Sequence, residues 1–186
     1  MKSLPRILIL LVVLIVVAAL YRIVPGRPYG FAPQIAMALF AGIVIKDRKW
    51  AFALPVLSMF LSDVIYEVLY RSGLSQMQGF YEGQLTNYIL FALLTFVGFA
   101  VKKINFLHIA LASLVAPTVY FLLSNTLVWL NGSGLQRPKS WEGWMMTLAD
   151  GLPFYRNSLY GTLFFAALLF GIYFALKPLL FKTKTA

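Results

Sequence analysis

Asp63, Glu67 and Arg71 stand at i, i+4 and i+8 in "LSDVIYEVLYR", residues 61–71, directly after the apolar run "WAFALPVLSMF". That spacing stacks all three on one face of a helix. Two carboxylates on one face could exchange protons with a substrate, or hold a polar ligand. The helix starts near Trp50 at the inner face, so Asp63 stands ~20 Å up, in the outer half of a bilayer. An acid there costs about 2.5–3.5 kcal/mol on insertion scales, so it should face the bundle or a wet cavity with partners. Ser62 and Tyr66 are local candidates, and Asn125 lies at comparable depth. The competing reading makes Asp63 a hydrogen-bonding anchor between helices. Glu67 and Arg71 read as a solvated pair of little energetic weight.

The background demands a membrane. Of 186 residues, 61% are hydrophobic and 12% charged, against roughly a quarter charged in soluble domains. Mean hydropathy is +0.81. Without Cys and with one histidine, His108, the chain offers no thiolate chemistry and no evident metal or haem set. No Ser–His pair or phosphate-cradling motif appears, so the chain reads as a non-enzyme, and no cofactor is implied. Net charge of +10 could suggest nucleic acid; in so apolar a chain it reads as basic cytoplasmic loops.

Six apolar segments, about 7–24, 33–46, 50–71, 86–101, 107–130 and 157–177, predict an all-α, single-domain bundle of six transmembrane helices spanning 1–186. The second yields only ~21 Å of helix against a ~30 Å hydrocarbon core. It must be tilted, thinly covered or completed by its leader. The first could pass for a signal peptide, with Lys2 and Arg6 before the apolar run and Ala18-Ala19 as a cleavage site. The run continues to Val24, which favours a retained helix. With both termini inside, ten of the sixteen basic residues and one of the six acids fall on the cytoplasmic side. The positive-inside rule then makes this a multi-pass inner-membrane protein with long outer loops, surrounded by lipid and not by nucleic acid.

Several further outer-side features could bind a solute. "VPGRPYGFAPQ", residues 24–34, has three Pro and two Gly, which forbid a helix. Irregular backbone beside a short span points to a binding site, with Tyr29, Phe31 and Gln34 as its side chains. An ordinary surface loop is the competing reading. In the last outer loop "NGSG" ends helix five, and "SWEGWMMTLAD", capped by Ser140, predicts a short separate amphipathic helix. Its Trp141, Trp144 and Met145 would lie on the membrane or cover a pocket. Trp129 joins them in an outer aromatic belt. Arg156 and Asn157, at the expected start of helix six, form an anion-friendly corner. Ala38 and Gly42 make a small-xxx-small face for internal packing or for a partner helix.

"FAPQIAMALFAG", "DRKWAFALPVLSMFLSD", "SNTLVWL" and "LPFYRNSLYGTLFFAALLFG", in that order, resemble an uncharacterised bacterial inner-membrane family, a domain of unknown function. The match covers about residues 22–171. Thr126 stands where that family usually has Phe, and Thr162 where it usually has Asp. That family is in turn similar to the substrate-binding S components of energy-coupling-factor vitamin transporters. The resemblance implies six helices, a vitamin-like ligand taken from the periplasmic side, and an energising transporter module as partner. S components usually place the small-xxx-small contact on helix one; here Ala38 and Gly42 on helix two are the nearest substitute. The binding residues expected are Phe31, Gln34, Ser62, Asp63, Tyr66, Asn125, Trp129, Trp141, Trp144, Arg156 and Asn157. The alternative is an accessory subunit of a larger inner-membrane complex, in which Asp63 and Asn125 only stitch helices together.

Overall fold

A computed structural model describes residues 4–132 and 136–180. Lys2, Lys182, Lys184 and residues 133–134 of the expected "NGSG" turn lie outside the described residues. The chain is all-α, in the order α1 (Leu4–Arg22), α2 (Gln34–Val44), α3 (Arg48–Arg71), α4 (Gln84–Ala100), α5 (Phe106–Asn131) and α6 (Trp141–Leu180). Within the described residues, Arg48–Arg71, Phe106–Asn131 and Trp141–Leu176 are long and apolar enough to cross a membrane. The apolar stretches Val12–Arg22, Gln34–Val44 and Gln84–Ala100 are shorter.

Local chemistry explains most of the boundaries. Asp47 caps α3 by accepting the Lys49 amide at 2.9 Å, and Asn105 caps α5 by accepting the His108 amide at 3.0 Å. Gly132 closes α5 at φ +70°, a left-handed residue that glycine adopts without penalty. Ser140 takes the Gly143 amide at 3.3 Å, the cap its position suggested.

The short α2 is the centre of the bundle. It packs on α3, α4, α5 and α6, and every residue from Gln34 to Ala41 is buried. A helix apolar all round belongs inside protein. Its 11 residues therefore need not match the bilayer, because other helices rather than lipid enclose it. One core joins Met37 and Phe40 of α2 to Leu54 of α3, Ile109 of α5, and Phe165 and Phe170 of α6.

Small residues let α2 approach α4. A Cβ on Gly42 would sit 2.8 Å from the Gly98 Cα, and one on Gly98 would meet Gly42 Cα at the same distance. Ala38 is fully buried beside them. Of the two uses read for this small-residue face, internal packing or a partner helix, the α2–α4 contact takes it up within the chain: lipid tails give helices no hydrophobic reason to associate, and close backbone packing does it instead.

A correction concerns the loop before the sixth apolar segment. The separate amphipathic helix does not exist as such: α6 runs unbroken for 40 residues from Trp141, through Gly151 and Pro153. Gly151 sits where a Cβ would come within 2.9 Å of the Asn125 Cγ, so contact with α5 holds the helix through a stretch whose local sequence suggests a stop. Arg156 and Asn157 consequently lie inside a helix rather than at its N-terminus, and the expected anion corner is absent there.

Gly42→Leu or Gly98→Leu should overpack the α2–α4 contact and cost about 1–3 kcal/mol. Thermal unfolding of the detergent-solubilised chain measures this, and Gly171→Leu, with open space at its Cβ, should leave the midpoint unmoved.

Candidate functional site

Three Pro and two left-handed glycines, Gly26 (φ +74°) and Gly30 (φ +87°), make the α1–α2 leader irregular, and α6 gives it somewhere to pack. A Cβ on Gly30 would lie 2.6 Å from the Phe154 carbonyl oxygen and 2.9 Å from Ser158 Oγ. Only glycine permits this approach and this φ together. Asn157 Nδ2 donates to the Tyr29 carbonyl at 2.9 Å, fastening the leader from the other side.

The α3–α4 loop is tied to α3 by Glu67. Its carboxylate accepts Arg71 Nε at 2.7 Å and the Gly79 and Phe80 amides at 3.2 and 3.4 Å. The surface pair expected between Glu67 and Arg71 is present, and Glu67 also does what the spacing does not reveal: it folds the loop back over the helix end.

Between these two irregular segments, the C-terminal half of α5 and the N-terminal half of α6 lies a cavity of about 550 Å³. The leader contributes Arg27, Tyr29, Gly30 and Ala32, the start of α2 Gln34 and Ile35, and the α3–α4 loop Met77 and Tyr81. Asn87 and Phe91 of α4 face Tyr120, Phe121, Ser124 and Asn125 of α5, and α6 closes the wall with Gly151, Phe154, Tyr155 and Ser158. Two ring pairs build the apolar surface: Phe91–Tyr120, stacked at 5.0 Å, and Phe121–Tyr155 at 4.7 Å.

Asp63 is beside this cavity, not in its lining. It is 1% exposed and forms an ion pair with Arg22 of α1. Its other oxygen accepts Gln84 Nε2 and, at 2.7 Å, the Tyr88 hydroxyl, both from α4. Arg22 Nη1 also reaches Ser62 Oγ at 2.5 Å and the Met59 carbonyl at 3.3 Å, while Tyr66 donates to the Arg22 carbonyl at 2.7 Å. The carboxylate thus joins α1, α3 and α4, with every oxygen partnered. Arg22 and Met59 are the members that show a face to the cavity.

The expected binding residues divide accordingly. Gln34 and Asn125 line the cavity. Asn125 does not reach Asp63; its Nδ2 donates to the Phe121 carbonyl at 2.8 Å within α5. Ser62, Asp63 and Tyr66 belong to the ion-pair network. Phe31 packs into the core against Phe165 at 5.7 Å. Trp129 donates to the Pro138 carbonyl at 2.9 Å, folding the loop after α5 onto that helix, and Trp144 donates to Thr126 Oγ1 at 2.9 Å, tying the start of α6 to α5. Trp141 is exposed, its ring tilted against that of Trp144 at 4.8 Å. Arg156 lies over the Tyr160 ring at 5.7 Å, and Asn157 holds the leader. Thr162, at the position where the resembled family has Asp, is buried and donates to the Ser158 carbonyl at 2.7 Å.

Residues missed from sequence include Arg22, Arg27, Asn87, Tyr120, Tyr155 and Ser158. Arg22 carried a usable signal: it ends an apolar helix on the same side as Asp63, at matching depth. Gln84 and Tyr88 are likewise one turn apart and share a face. The others gave none, since they become neighbours only through packing. Among the described residues no three His, Asp or Glu side chains converge to hold a metal.

A family model described as a family of unknown function, DUF6580, matches residues 2–183. No curated protein and no solved structure matches the chain.

Removing one member of a buried ion pair strands the other and costs about 3–5 kcal/mol, whereas replacing both by apolar groups is far milder. Arg22→Met and Asp63→Leu should each lower the unfolding midpoint strongly, and the double variant should recover most of the loss. Equal additive losses in denaturant titrations would show that the pair is not coupled.

Proposed function

The chain belongs to this family of unknown function, and we propose that it is a membrane-embedded binding protein for a small organic molecule, loaded from the outer side. The cavity supports this reading more than any other feature. Its volume of about 550 Å³ falls in the ~300–1,000 Å³ range of small-molecule sites, and its wall is aromatic with a few polar groups. Non-helical backbone at membrane depth is tolerated where it lines a cavity, and the leader does so. No lining serine is paired with a base, so the reading is capture without chemistry. The resemblance to S components supports uptake in partnership with an energising module.

The site opens among the segments that the charge distribution puts outside. With both termini cytoplasmic in a bacterial inner membrane, the leader, the α3–α4 loop and the start of α6 face the periplasm. The accessory-subunit reading draws on one observation, the commitment of Asp63 to helix stitching, but leaves the cavity without a role.

Two experiments bear on this. The chain has no cysteine, so single cysteines report topology: Ser75→Cys and Ser140→Cys should react with an impermeant maleimide from outside, and Asn105→Cys should not. Protein extracted gently and analysed by mass spectrometry should release a small molecule that Ser124→Trp, which fills the cavity, no longer retains. Equal retention by both proteins would remove the cavity from consideration.

A further inference from the structure

We infer that the cavity takes an aromatic molecule carrying one carboxylate, with that carboxylate seated at the start of α2. This rests on the reading of the cavity as the binding site. The first observation is a buried helix end without acceptors. Pro33 supplies no side-chain cap, and the first amide to find a partner is that of Met37, bonded to the Pro33 carbonyl at 2.8 Å. The Gln34, Ile35 and Ala36 amides precede it, on residues that are all buried. Gln34 and Ile35 line the cavity. A helix start buried this way lacks the capping groups that normally satisfy it, and its partial positive charge favours an anion.

The second observation is independent. The Gln34 side chain is 2% exposed and its amide nitrogen has no hydrogen-bond partner among the described residues. A buried amide donor left unbonded is costly, and the residue that carries it belongs to the cavity wall.

The third is charge. Two charged groups besides Arg27 line the cavity, and each has its own counter-charge: Arg22 is paired with Asp63, and Asp150 with Arg137 at 2.7 Å. Arg27 donates only to carbonyls, of Arg22 at 3.2 Å, Pro28 at 3.4 Å and Phe31 at 2.8 Å. Among the described residues it has no carboxylate partner. One uncompensated guanidinium, a donor-rich helix end and a free amide together match a monoanion that accepts several hydrogen bonds. The Phe91–Tyr120 and Phe121–Tyr155 ring pairs then offer flat surface for the apolar body.

Calorimetric titration of the full chain in lipid nanodiscs with indole-3-acetate, indole-3-acetamide and indoxyl phosphate tests this. The acid should bind at least about tenfold more tightly than the amide, the scale of a charge-assisted hydrogen bond. Arg27→Gln should bring the acid down to the amide, and Arg27→Lys should keep the preference. Gln34→Leu should weaken the acid about tenfold and leave the amide unchanged. Equal binding of acid and amide, tighter binding of the phosphate, or no binding of any of the three overturns the carboxylate inference. Undiminished binding of acid and amide alike by Ser124→Trp overturns instead the reading of the cavity as the site.

Discussion

A carboxylate at membrane depth must be compensated, and here one guanidinium at the end of the first helix does it. Arg22 and Asp63 are far apart in sequence and meet where α1, α3 and α4 converge. Each brings an entourage: Gln84 and Tyr88 complete the acid, while Ser62, Met59 and Tyr66 anchor the base or its backbone. Low dielectric makes such a network strong when complete and costly when incomplete. It therefore sets the relative height of three helices. It also orders the point from which the leader departs, since the Arg22 carbonyl receives both Tyr66 and Arg27.

Everything about the cavity follows from that departure point and from the length of α2. A central helix of 11 residues is much shorter than the 24 to 40 residues of α3, α5 and α6 around it, and the space beyond its N-terminal end must be filled by something. The irregular leader fills part of it, pinned to α6 through Gly30 and Asn157. The remainder stays open between aromatic walls. Close packing at Gly42 and Gly98 fixes the C-terminal end of α2 against α4, so the vacancy forms at its N-terminal end, where Gln34 and Ile35 line it.

The unbroken α6 shows how tertiary contact overrides local signals. Gly151 and Pro153 would end many helices in water. In this setting Gly151 allows Asn125 of α5 to pass close by. The same continuity moves Arg156 and Asn157 off a helix end, which changes their chemistry from anion attraction to packing and fastening.

The membrane setting, the six apolar segments, the caps at Asp47, Asn105 and Ser140, and the irregular leader were legible in the residues, because each depends on composition or on partners within a few positions. Of the site, the leader, Gln34 and Asn125 were legible, through Pro/Gly content and the rarity of amides in apolar runs. Sequence also identified Asp63 as a group needing an explanation. Only the tertiary structure decided that Arg22 would supply it, that the small-residue face would close internally, and that Arg27 would face a cavity with no carboxylate partner among the described residues. Those outcomes depend on which side chains arrive at one depth from distant segments, and hydropathy and helical period are blind to that.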